Sequence, residues 1–572
     1  MAVESHLPGP DPREAAEALE PEAGLLADAD PIGFAEALSE LGTALARDPW
    51  AVGAIVGRTA ADAGVAAVTT ALRAWGISMD GPVRPDRRDR RFADEAWTRD
   101  PLWFGLQQAY LLWSRSMYDL VDAAQLDGPD KLKADFAVRV IVDALAPTNS
   151  LVGNPAALRR AARTGGLSAV AGWGNMVDDL LTNHGRPRQV DTSPFRVGDN
   201  LAATPGKVVF RNHLMELLQY EPQTETAYAI PLLLSPPWIN KYYVMDLAPE
   251  RSFAEWAVRR GHTVFAISYR NPDPTMRGVS LDDYLLHGPH TAIDVMSAIT
   301  GSPKVNVVGL CLGGTLTAMM LAHLAYEGED RIRSATLLNT LIDFSHPGML
   351  GSFTDPRSVR RLAKRMAESG VLEGRDMALT FDLLRANDLI WNYVGSSWLM
   401  GEKPPAFDIL AWNADATRMP AAMHAFYLRY CYGENQLARG AMELAGTPLQ
   451  LDRVAEEIYL LAAKEDHIVP WTSAYTATQL FGGPVRFVLT SSGHIAGIVN
   501  PPNPKARHWT NDATPTDPQA WLESAVEHGD SWWHDWAGWI GERGGARGAP
   551  PPLGSAEFPP LDDAPGTYVH ER

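Results

Sequence analysis

Cysteine is scarce in this sequence, and its scarcity excludes one class of fold. Only two of the 572 residues are cysteines, Cys311 and Cys431, which is too few for the disulfide framework of a secreted protein. The first residues, MAVESHLPGPDPREAAEALEPEAG, have neither the basic start nor the apolar run of a secretory signal. We therefore expect a cytoplasmic protein that works in a reducing compartment.

Positive charge and long apolar runs are also in short supply. Lysine and arginine number 50 against 69 aspartates and glutamates, which gives a net charge of −19. Because nucleic acids are held through their phosphates by basic residues, this balance argues against a nucleic-acid partner and confines attraction of any anionic ligand to local basic patches. No uninterrupted apolar run reaches the roughly 18 residues of a membrane-crossing helix, so no transmembrane segment is expected.

The sequence does contain enough apolar material for a large core, because 46% of its residues are hydrophobic. Residues 1–30 are rich in Ala, Glu, Asp and Pro without an apolar period, which predicts a disordered leader. Between 31 and 200, apolar residues recur at i, i+3, i+4 and i+7, as in DPLWFGLQQAYLLWSRSMYDLVDAA. This spacing predicts a helical N-terminal domain.

From about residue 228 the pattern changes to short β-rich runs that alternate with helical segments. Six runs predict strands: AIPLLLS, TVFAISY, KVNVVGL, RSATLLN, EIYLLAA and VRFVLT. Strands separated by helices predict an α/β domain with a mostly parallel sheet, divided between 201–340 and 451–540. Residues 341–450 are helical and aromatic and predict a cap inserted over the sheet. The Gly/Pro-rich end, 541–572, predicts an extended tail.

The stretch KVNVVGLCLGGTLTAMMLAHLA predicts a strand, a sharp turn and a helix, with a cysteine at the turn. Gly309, Gly313 and Gly314 flank Cys311 and permit the strained turn of a nucleophile elbow, which lifts the central side chain above the sheet edge. The alternative for a free thiol is a buried structural residue. The glycines and the flanking elements favour a nucleophile at Cys311, whereas Cys431, in YLRYCYGENQ, has no such context and is interpreted as structural.

An elbow nucleophile needs an orienting acid and a base that follow it at the ends of later strands. EIYLLAAKEDHIVPW ends a strand at Asp466, and VRFVLTSSGHIAG ends the next one at His494. His467 competes for the role of base, but it directly follows Asp466 and would point elsewhere. The order along the chain therefore predicts Cys311, Asp466 and His494 as a catalytic triad.

The oxyanion hole of such an elbow uses the amide after the nucleophile and a second amide from a loop after an early strand. The first amide is that of Leu312. The loop in PLLLSPPWINKYYVMDL offers the second, for which we choose Ile239. The alternative is that Pro236, Pro237 and Trp238 merely shape a buried loop, and the two roles are compatible.

Eight motifs along the chain are recognisable together: LLLSPPWINKYYVMDL, SYRNPDPTM, VVGLCLGGT, NDLIWNYV, FDILAWNADATRMP, EDHIVPWTSAY, SSGHIAGIVNPP and APGTYVHER. They span roughly residues 90 to 572 in order and make the chain resemble the polyhydroxyalkanoate synthases, which polymerise hydroxyacyl-CoA thioesters into storage polyester. The length resembles that of the single-component enzymes. PPWINKYY is typical of those that favour short side chains, whereas SGVLEGRDMA is more like those for medium chains. Tyr269 stands where the family more often has tryptophan.

The resemblance implies an α/β-hydrolase core, a mobile cap over the substrate channel, a homodimeric active form and attachment to polyester granules through the growing chain. It makes Cys311 the residue that accepts the acyl group, with Asp466 and His494 as its partners. It also implies that Trp412, in AWNADAT, lies near the cap and the active site. The substrate is then an (R)-3-hydroxyacyl-CoA, and we expect no cofactor and no metal ion, since CoA is released as a product.

A cysteine suits this chemistry because exchange between thioesters is nearly isoenergetic, so the acyl group stays activated on the enzyme. We expect His494 to deprotonate Cys311, and a hydroxyl then to attack the acyl-cysteine, with Asp466 orienting His494 or assisting directly. The cap would exclude water.

An intracellular polyester depolymerase or thioesterase with the same triad is the nearest alternative function, and a non-enzymatic granule coat is another. The helical N-terminal region and the PPWINKYY and SGHIAGIVNPP motifs favour the polymerase.

Two further groups of residues each have two interpretations. Arg360 and Arg361 belong to a basic stretch whose helical spacing puts most of its members on one face, where they are candidates for attracting the polyanionic CoA. A solvated helix face is the commoner outcome for such a stretch.

The run GDSWWHDWAGW also has helical spacing, which favours packing of a last helix in the core over an exposed lipid or polymer surface.

Overall fold

The structure is a computed structural model that describes residues 33–87 and 89–572. The leader predicted at 1–30 lies outside the described residues. Within them, a helical N-terminal region precedes a large mixed sheet, and a long segment is inserted between two of the strands of that sheet.

The N-terminal region is built from helices, as the apolar spacing predicted. They are α1 (Phe34–Arg47), α2 (Pro49–Ala74), α3 (Ala96–Arg99), α4 (Pro101–Ala123), α5 (Gly128–Ala144), α6 (Pro155–Arg163) and α7 (Leu167–Thr182), with 3₁₀ turns at Arg90–Phe92 and Pro147–Asn149. Several begin at an Asp-Pro or Asn-Pro pair. At the start of α4 the carboxylate of Asp100 accepts the amides of Leu102 and Trp103, and the proline occupies the first position, where no N–H is needed.

Helix α2 packs against α4 along one side and leaves its other side exposed. Its exposed side chains include Trp50, Val56, Val65 and Val68. By length and composition, α2 is the one helix in the described part of the chain that is long and apolar enough to cross a membrane. Charged residues interrupt its apolar run, so the helix contains no uninterrupted apolar stretch of membrane-crossing length and was not predicted from the sequence.

Sixteen strands occur in the described residues. They are β1 (Gly206–Arg211), β2 (Met215–Tyr220), β3 (Ala227–Tyr228), β4 (Leu232–Ser235), β5 (Val264–Tyr269), β6 (Val305–Leu310), β7 (Ile332–Leu338), β8 (Val371–Leu372), β9 (Met419–Pro420), β10 (Glu443–Leu444), β11 (Thr447–Pro448), β12 (Glu457–Ala463), β13 (Val485–Thr490), β14 (His508–Thr510), β15 (Val526–His528) and β16 (Arg547–Gly548). Ten form the central sheet, in the order β1-β2-β5-β4-β6-β7-β12-β13-β14-β15. The other six pair as β3 with β16, β8 with β9, and β10 with β11.

The six consecutive strands from β5 to β13 in the sheet are parallel, whereas β1, β2, β14 and β15 pair antiparallel at the two edges. Leu310 at the end of β6 lies opposite Leu338 of β7, so neighbouring strands end at one edge of the sheet. This order, with helices between the parallel strands, is that of the α/β-hydrolase fold, and the predicted fold class is confirmed.

The six predicted runs are the six parallel strands, but β1, β2, β14 and β15 were not predicted. In β2 the local pattern is obscured because Glu216 and Gln219 are buried among apolar residues. Arg211 of the neighbouring strand β1 pairs with Glu216, and the further partners of both buried side chains come from the far end of the chain. Glu216 accepts the amides of Thr567 and Tyr568, and Gln219 donates to the carbonyl of Pro552.

Helices lie between the strands and over the sheet. They are α8 (Phe253–Val258), α9 (Leu281–Leu285), α10 (Thr291–Thr300), α11 (Leu312–Glu327), α12 (Pro356–Ser369), α13 (Gly374–Leu384), α14 (Asp408–Asn413), α15 (Ala421–Phe426), α16 (Trp471–Tyr475), α17 (Pro518–Ser524) and α18 (Trp532–Gly541). Shorter 3₁₀ turns occupy Tyr242–Met245, Pro274–Met276, Gly348–Phe353, Leu451–Arg453, Thr476–Gln479 and Tyr568–His570, and π-helical turns occupy Leu286–His290, Asn387–Trp391, Val394–Leu399 and Tyr427–Gly433. Helices α12 to α15 belong to the inserted segment, defined here as residues 339–456 between β7 and β12.

The N-terminal helices hold the inserted segment through charged contacts. Lys133 of α5 pairs with Asp355 at the start of α12 at 2.8 Å, and both side chains are only 7% exposed. Glu36 of α1 accepts from Arg361 of α12 at 2.6 Å. A buried pair that loses one partner leaves an uncompensated charge, so these contacts fix the two regions against each other.

The tryptophan-rich run forms α18, and the predicted core packing is confirmed. Trp532, Trp533 and Trp536 are each 0% exposed and pack against Phe253 of α8. The indole of Trp536 donates to Thr336 in strand β7 at 2.9 Å. Each indole thus buries a large apolar body while its N–H finds an acceptor.

We expect Trp536→Ala to lower the free energy of unfolding by about 3–5 kcal/mol, because it leaves a large cavity under the sheet and removes the bond to Thr336. Urea denaturation followed by circular dichroism measures this. His534→Ala, at an exposed position of the same helix, is the matched control and should change stability by about 0.5 kcal/mol or less. Equal losses in the two variants would contradict the role of α18 as a core helix.

Candidate active site

Cys311 occupies a strained turn between β6 and α11. Its backbone has φ 51° and ψ −116°, which is unfavourable for a residue with a side chain. The turn is held by the amide of Cys311, which donates to the carbonyl of Leu338 at 2.8 Å, and by the amides of Gly314 and Thr315, which donate to the carbonyl of Cys311. The thiol is free and partly exposed at the edge of the sheet.

The glycines around Cys311 are required by close packing. A Cβ on Gly313 would overlap the backbone oxygens of Ser235, the last residue of β4, and of Pro236. A Cβ on Gly309 would lie 2.6 Å from the Cα of Gly314. The small residues therefore let the helix after Cys311 approach both the strand β6 and the loop that follows β4.

Asp466 and His494 meet beside this turn. The imidazole Nδ1 of His494 lies 2.6 Å from Oδ2 of Asp466, and the Asp466 side chain is fully buried. The other carboxylate oxygen of Asp466 accepts the amides of Ile468 and Val469, at 2.8 and 2.9 Å. These amides fix the carboxylate, and the carboxylate fixes the ring.

The thiol of Cys311 lies close enough to the imidazole of His494 to act on its pKa. Burial of the ring disfavours its charged form, but the charges of Asp466 and Cys311 outweigh burial and hold the pKa of His494 well above its usual value. The neighbouring His467 behaves in the opposite way, since burial and the nearby Arg385 lower its pKa to about 4. Of the two histidines, His494 is therefore the one that the structure joins to both Asp466 and Cys311.

The turn that carries His494 is held by residues from two distant parts of the chain. The side-chain amide of Asn339, directly after β7, donates to the carbonyl of His494. The indoles of Trp532 and Trp533 donate to the carbonyls of Gly497 and Ile498, at 2.8 and 2.9 Å. Neither support was predicted, because the sequence does not show which buried donor meets which loop carbonyl.

Leu312 and Ile239, the two predicted oxyanion donors, border one cavity together with Cys311. Leu312 is the first residue of α11, a position whose amide has no acceptor within its own helix. Ile239 lies in the loop whose backbone oxygens at Ser235 and Pro236 approach Gly313.

The cavity above Cys311 has a volume of about 210 Å³ and a mainly apolar wall. Most of the wall belongs to the inserted segment, including Leu350, Phe353, Leu362, Met377, Phe381 and Tyr427. Burial lowers the pKa of His424 to about 4 and raises the pKa of Tyr427 above its usual range, so both side chains are neutral. Arg365 and Asp376 are the charged side chains on the described wall.

Two family patterns match the chain. The family described as Poly-beta-hydroxybutyrate polymerase (PhaC) N-terminus matches residues 88–257, and the family described as alpha/beta hydrolase fold matches residues 236–501. The chain is 45% identical over 509 residues to the poly(3-hydroxyalkanoate) polymerase subunit PhaC of Rhizobium meliloti, which covers 88% of this chain and 83% of that protein. The chain belongs to the poly(3-hydroxyalkanoate) polymerase family.

Other members of the family are similar to the same extent. The chain is 45% identical over 492 residues to the polymerase subunit PhaC of Cupriavidus necator, covering 85% of this chain and 83% of that one. It is 43% identical over 493 residues to poly(3-hydroxyalkanoate) polymerase 1 of Ectopseudomonas oleovorans, covering 86% and 88%. These matches confirm the resemblance that was inferred from the sequence motifs.

Arg360, Arg361 and Trp412, which were predicted near the substrate, are not part of the described wall of this cavity. Arg361 pairs with Glu36, Arg360 is exposed on α12, and Arg365 of the same helix borders the cavity. Trp412 is buried, and its indole donates to the carbonyl of Lys241 at 2.7 Å. Trp412 thus contacts the loop that carries Ile239, and its place near the substrate stays a prediction.

Cys431 is 0% exposed, and burial raises the pKa of its thiol strongly. Over residues 33–87 and 89–572, no group of three or more His, Cys, Asp or Glu side chains is arranged to hold a metal ion.

We expect Asp466→Asn to lower the pKa of His494, because the variant removes the negative charge that favours the imidazolium. With a raised pKa the ring stays protonated to a higher pH and loses its proton as the pH rises through that pKa. In the variant this loss should occur about one to three pH units lower. The pH dependence of Cys311 alkylation by iodoacetamide measures this shift in the pH at which His494 loses its proton.

Asp343→Asn is the control for this experiment, since Asp343 is a partly buried carboxylate that bonds to Ser345 and Asn435. Its profile should match that of the unmodified protein. An unshifted profile in Asp466→Asn would show that another group governs His494.

Proposed function

We propose that this protein polymerises (R)-3-hydroxyacyl groups from CoA thioesters into polyhydroxyalkanoate and releases CoA. The observation that carries the proposal is a strained cysteine in contact with a His–Asp pair beneath an apolar cavity, in a chain of the polymerase family. The PPWINKYY and SGHIAGIVNPP motifs support short side chains as the favoured substrates.

Cys311 is the acyl acceptor in this proposal. His494 takes the thiol proton, and the Sγ atom of Cys311 forms a bond to the thioester carbonyl carbon while the bond from that carbon to the CoA sulfur breaks. The proton on His494 passes to the departing CoA. The acyl group remains on a sulfur and so retains the activation that it had on CoA.

The polymer chain lengthens when a hydroxyl attacks the acyl-cysteine. The hydroxyl oxygen bonds to the carbonyl carbon, its proton goes to His494, and Cys311 leaves as the thiolate, which then recovers that proton. Asp466 holds His494 in the orientation that serves both steps. The amides of Leu312 and Ile239 bind the oxyanion in each step.

Water competes with the attacking hydroxyl, so the site must be dry for polymer to form. The apolar wall from the inserted segment supports this requirement, because it encloses Cys311 with leucine, phenylalanine and tyrosine side chains. Residues 341–450 thus act as the cap. Arg365, at the border of the cavity, and the more distant Arg360 and Arg361 provide the local positive charge that attracts CoA.

The protein works in the cytoplasm on the surface of polyester granules and as a homodimer. The nascent chain on Cys311 tethers it to the granule. Exposed apolar residues on the N-terminal helices, such as Trp50, Val68 and Trp173, support further adsorption to a polyester surface. Membership of the polymerase family supports the proposal of a homodimer.

Purified protein given (R)-3-hydroxybutyryl-CoA should release free CoA and form insoluble polyester that sediments with the protein. Free thiol is followed with a colorimetric reagent, and the acyl product is separated into polymer and soluble acid. The (S) enantiomer is the control and should release little CoA. Soluble 3-hydroxybutyrate as the main product would identify a hydrolase, and no thiol release with substrates of several chain lengths would contradict any acyl-transfer function.

Cys311→Ala should abolish CoA release, because no other thiol lies in reach of His494. Cys431→Ala is the matched control and should retain most of the activity, since that thiol is buried and protonated. Trapping with radiolabelled substrate, followed by gel analysis, should label the Cys431→Ala protein and not the Cys311→Ala protein. Turnover in Cys311→Ala would exclude Cys311 as the nucleophile.

A further inference from the structure

Three motifs that are far apart in the sequence meet next to the proposed oxyanion hole. PPWINKYY contributes the loop 236–241, AWNADAT contributes residues 411–417, and TYVHER forms the last six residues of the chain. The proposed mechanism uses Ile239 from the first motif and leaves the other two without a function. Their contacts converge on Lys241, two residues after Ile239.

The ammonium group of Lys241 is buried, with only 3% of the residue exposed. It donates to the backbone carbonyl of Glu571 at 2.6 Å and lies 3.4 Å from that of Tyr568. Its hydrogen-bond partners are thus uncharged groups, and burial lowers the pKa of the ammonium while Asp415 and Glu571 act against that shift. A buried lysine with this arrangement is costly compared with an apolar side chain of the same length, which points to a specific use.

The backbone of the same loop is held from the other side by the AWNADAT segment. The indole of Trp412 donates to the carbonyl of Lys241 at 2.7 Å. The hydroxyl of Thr417 donates to the carbonyl of Trp238 at 2.6 Å, and the amide of Thr417 donates to the carbonyl of Ile239 at 3.2 Å. The AWNADAT segment therefore fixes the carbonyls of Trp238, Ile239 and Lys241. The side chain of Lys241 links this loop to the end of the chain.

We propose that Lys241 is a positioning residue that ties residues 568–571 to the loop 236–241 and thereby holds the amide of Ile239 in place for the oxyanion. This inference rests on the proposed function, since it needs an oxyanion to form at Cys311. The last residues of the chain act here through Lys241 and do not touch the substrate. Preorganised donors of this kind affect the transition state more than the bound substrate.

The test compares Lys241→Met with Lys241→Arg in steady-state assays with (R)-3-hydroxybutyryl-CoA. Lys241→Met keeps the length of the side chain and loses the donor, so kcat should fall by about 10- to 100-fold while KM changes by about twofold or less. Lys241→Arg retains donors for the carbonyls and should recover most of kcat. The rate of Cys311 alkylation by iodoacetamide, which needs no oxyanion hole, should be the same in all three proteins.

Arg270→Met is the matched control, because Arg270 contacts the side chain of Glu571 at 3.2 Å and lies over the ring of Tyr568, and it is not among the hydrogen-bond partners of Lys241. Its kcat should stay near that of the unmodified protein. Removal of residues 568–572 should lower kcat as Lys241→Met does, and the two changes combined should cost no more than one of them, since they break the same link.

An unchanged kcat in Lys241→Met would overturn the inference, as would a parallel fall in kcat and alkylation rate, which indicates a general structural defect. Fully additive losses in the combined variant would also overturn it. These results are separable from failure of the proposed function, in which the unmodified protein releases no CoA or forms mainly soluble 3-hydroxybutyrate.

Discussion

The left-handed backbone of Cys311 is the constraint on which the site depends. A residue with a side chain is held there only because the strand β6, the helix α11 and the loop after β4 approach so closely that Gly309 and Gly313 have no room for a Cβ. The strain in the turn is offset by packing elsewhere. The same close approach brings the amide at the start of α11 next to the loop that carries Ile239.

Charge is placed sparingly around this turn. Asp466 is buried and hydrogen bonds to two backbone amides and to His494. Its negative charge raises the pKa of that imidazole. The cavity above is neutral where it meets the thiol, since His424 and Tyr427 are both uncharged. A reactive thiolate and an imidazolium in apolar surroundings interact more strongly than they would in water.

Both ends of the chain support the site from outside. The N-terminal helices hold the inserted segment through pairs such as Lys133–Asp355, and the inserted segment forms most of the cavity wall. Near the C-terminus, the indoles of α18 hold the turn after His494, and the last residues bind Lys241. Regions that are far from Cys311 in the sequence thus hold the cavity wall, the turn after His494 and the loop at Lys241 in position.

Much of this could be predicted from the sequence alone. The strand, turn and helix around Cys311, the six parallel strands and the order of Asp466 and His494 follow from local patterns, because hydrophobic period and glycine placement act over a few residues. The sequence also predicted core packing of the tryptophans of α18, since four of them share helical spacing, and three of these four are fully buried. Family membership added the substrate class.

Only the tertiary structure decided which distant groups satisfy one another. That Arg361 pairs with Glu36, that Glu216 of β2 binds the end of the chain, and that Lys241 donates to Glu571 depends on contacts across hundreds of residues. A buried polar group must find a partner, but its own sequence does not say where that partner comes from. The sequence determined the reactive groups and their order, and the fold determined what holds them in place.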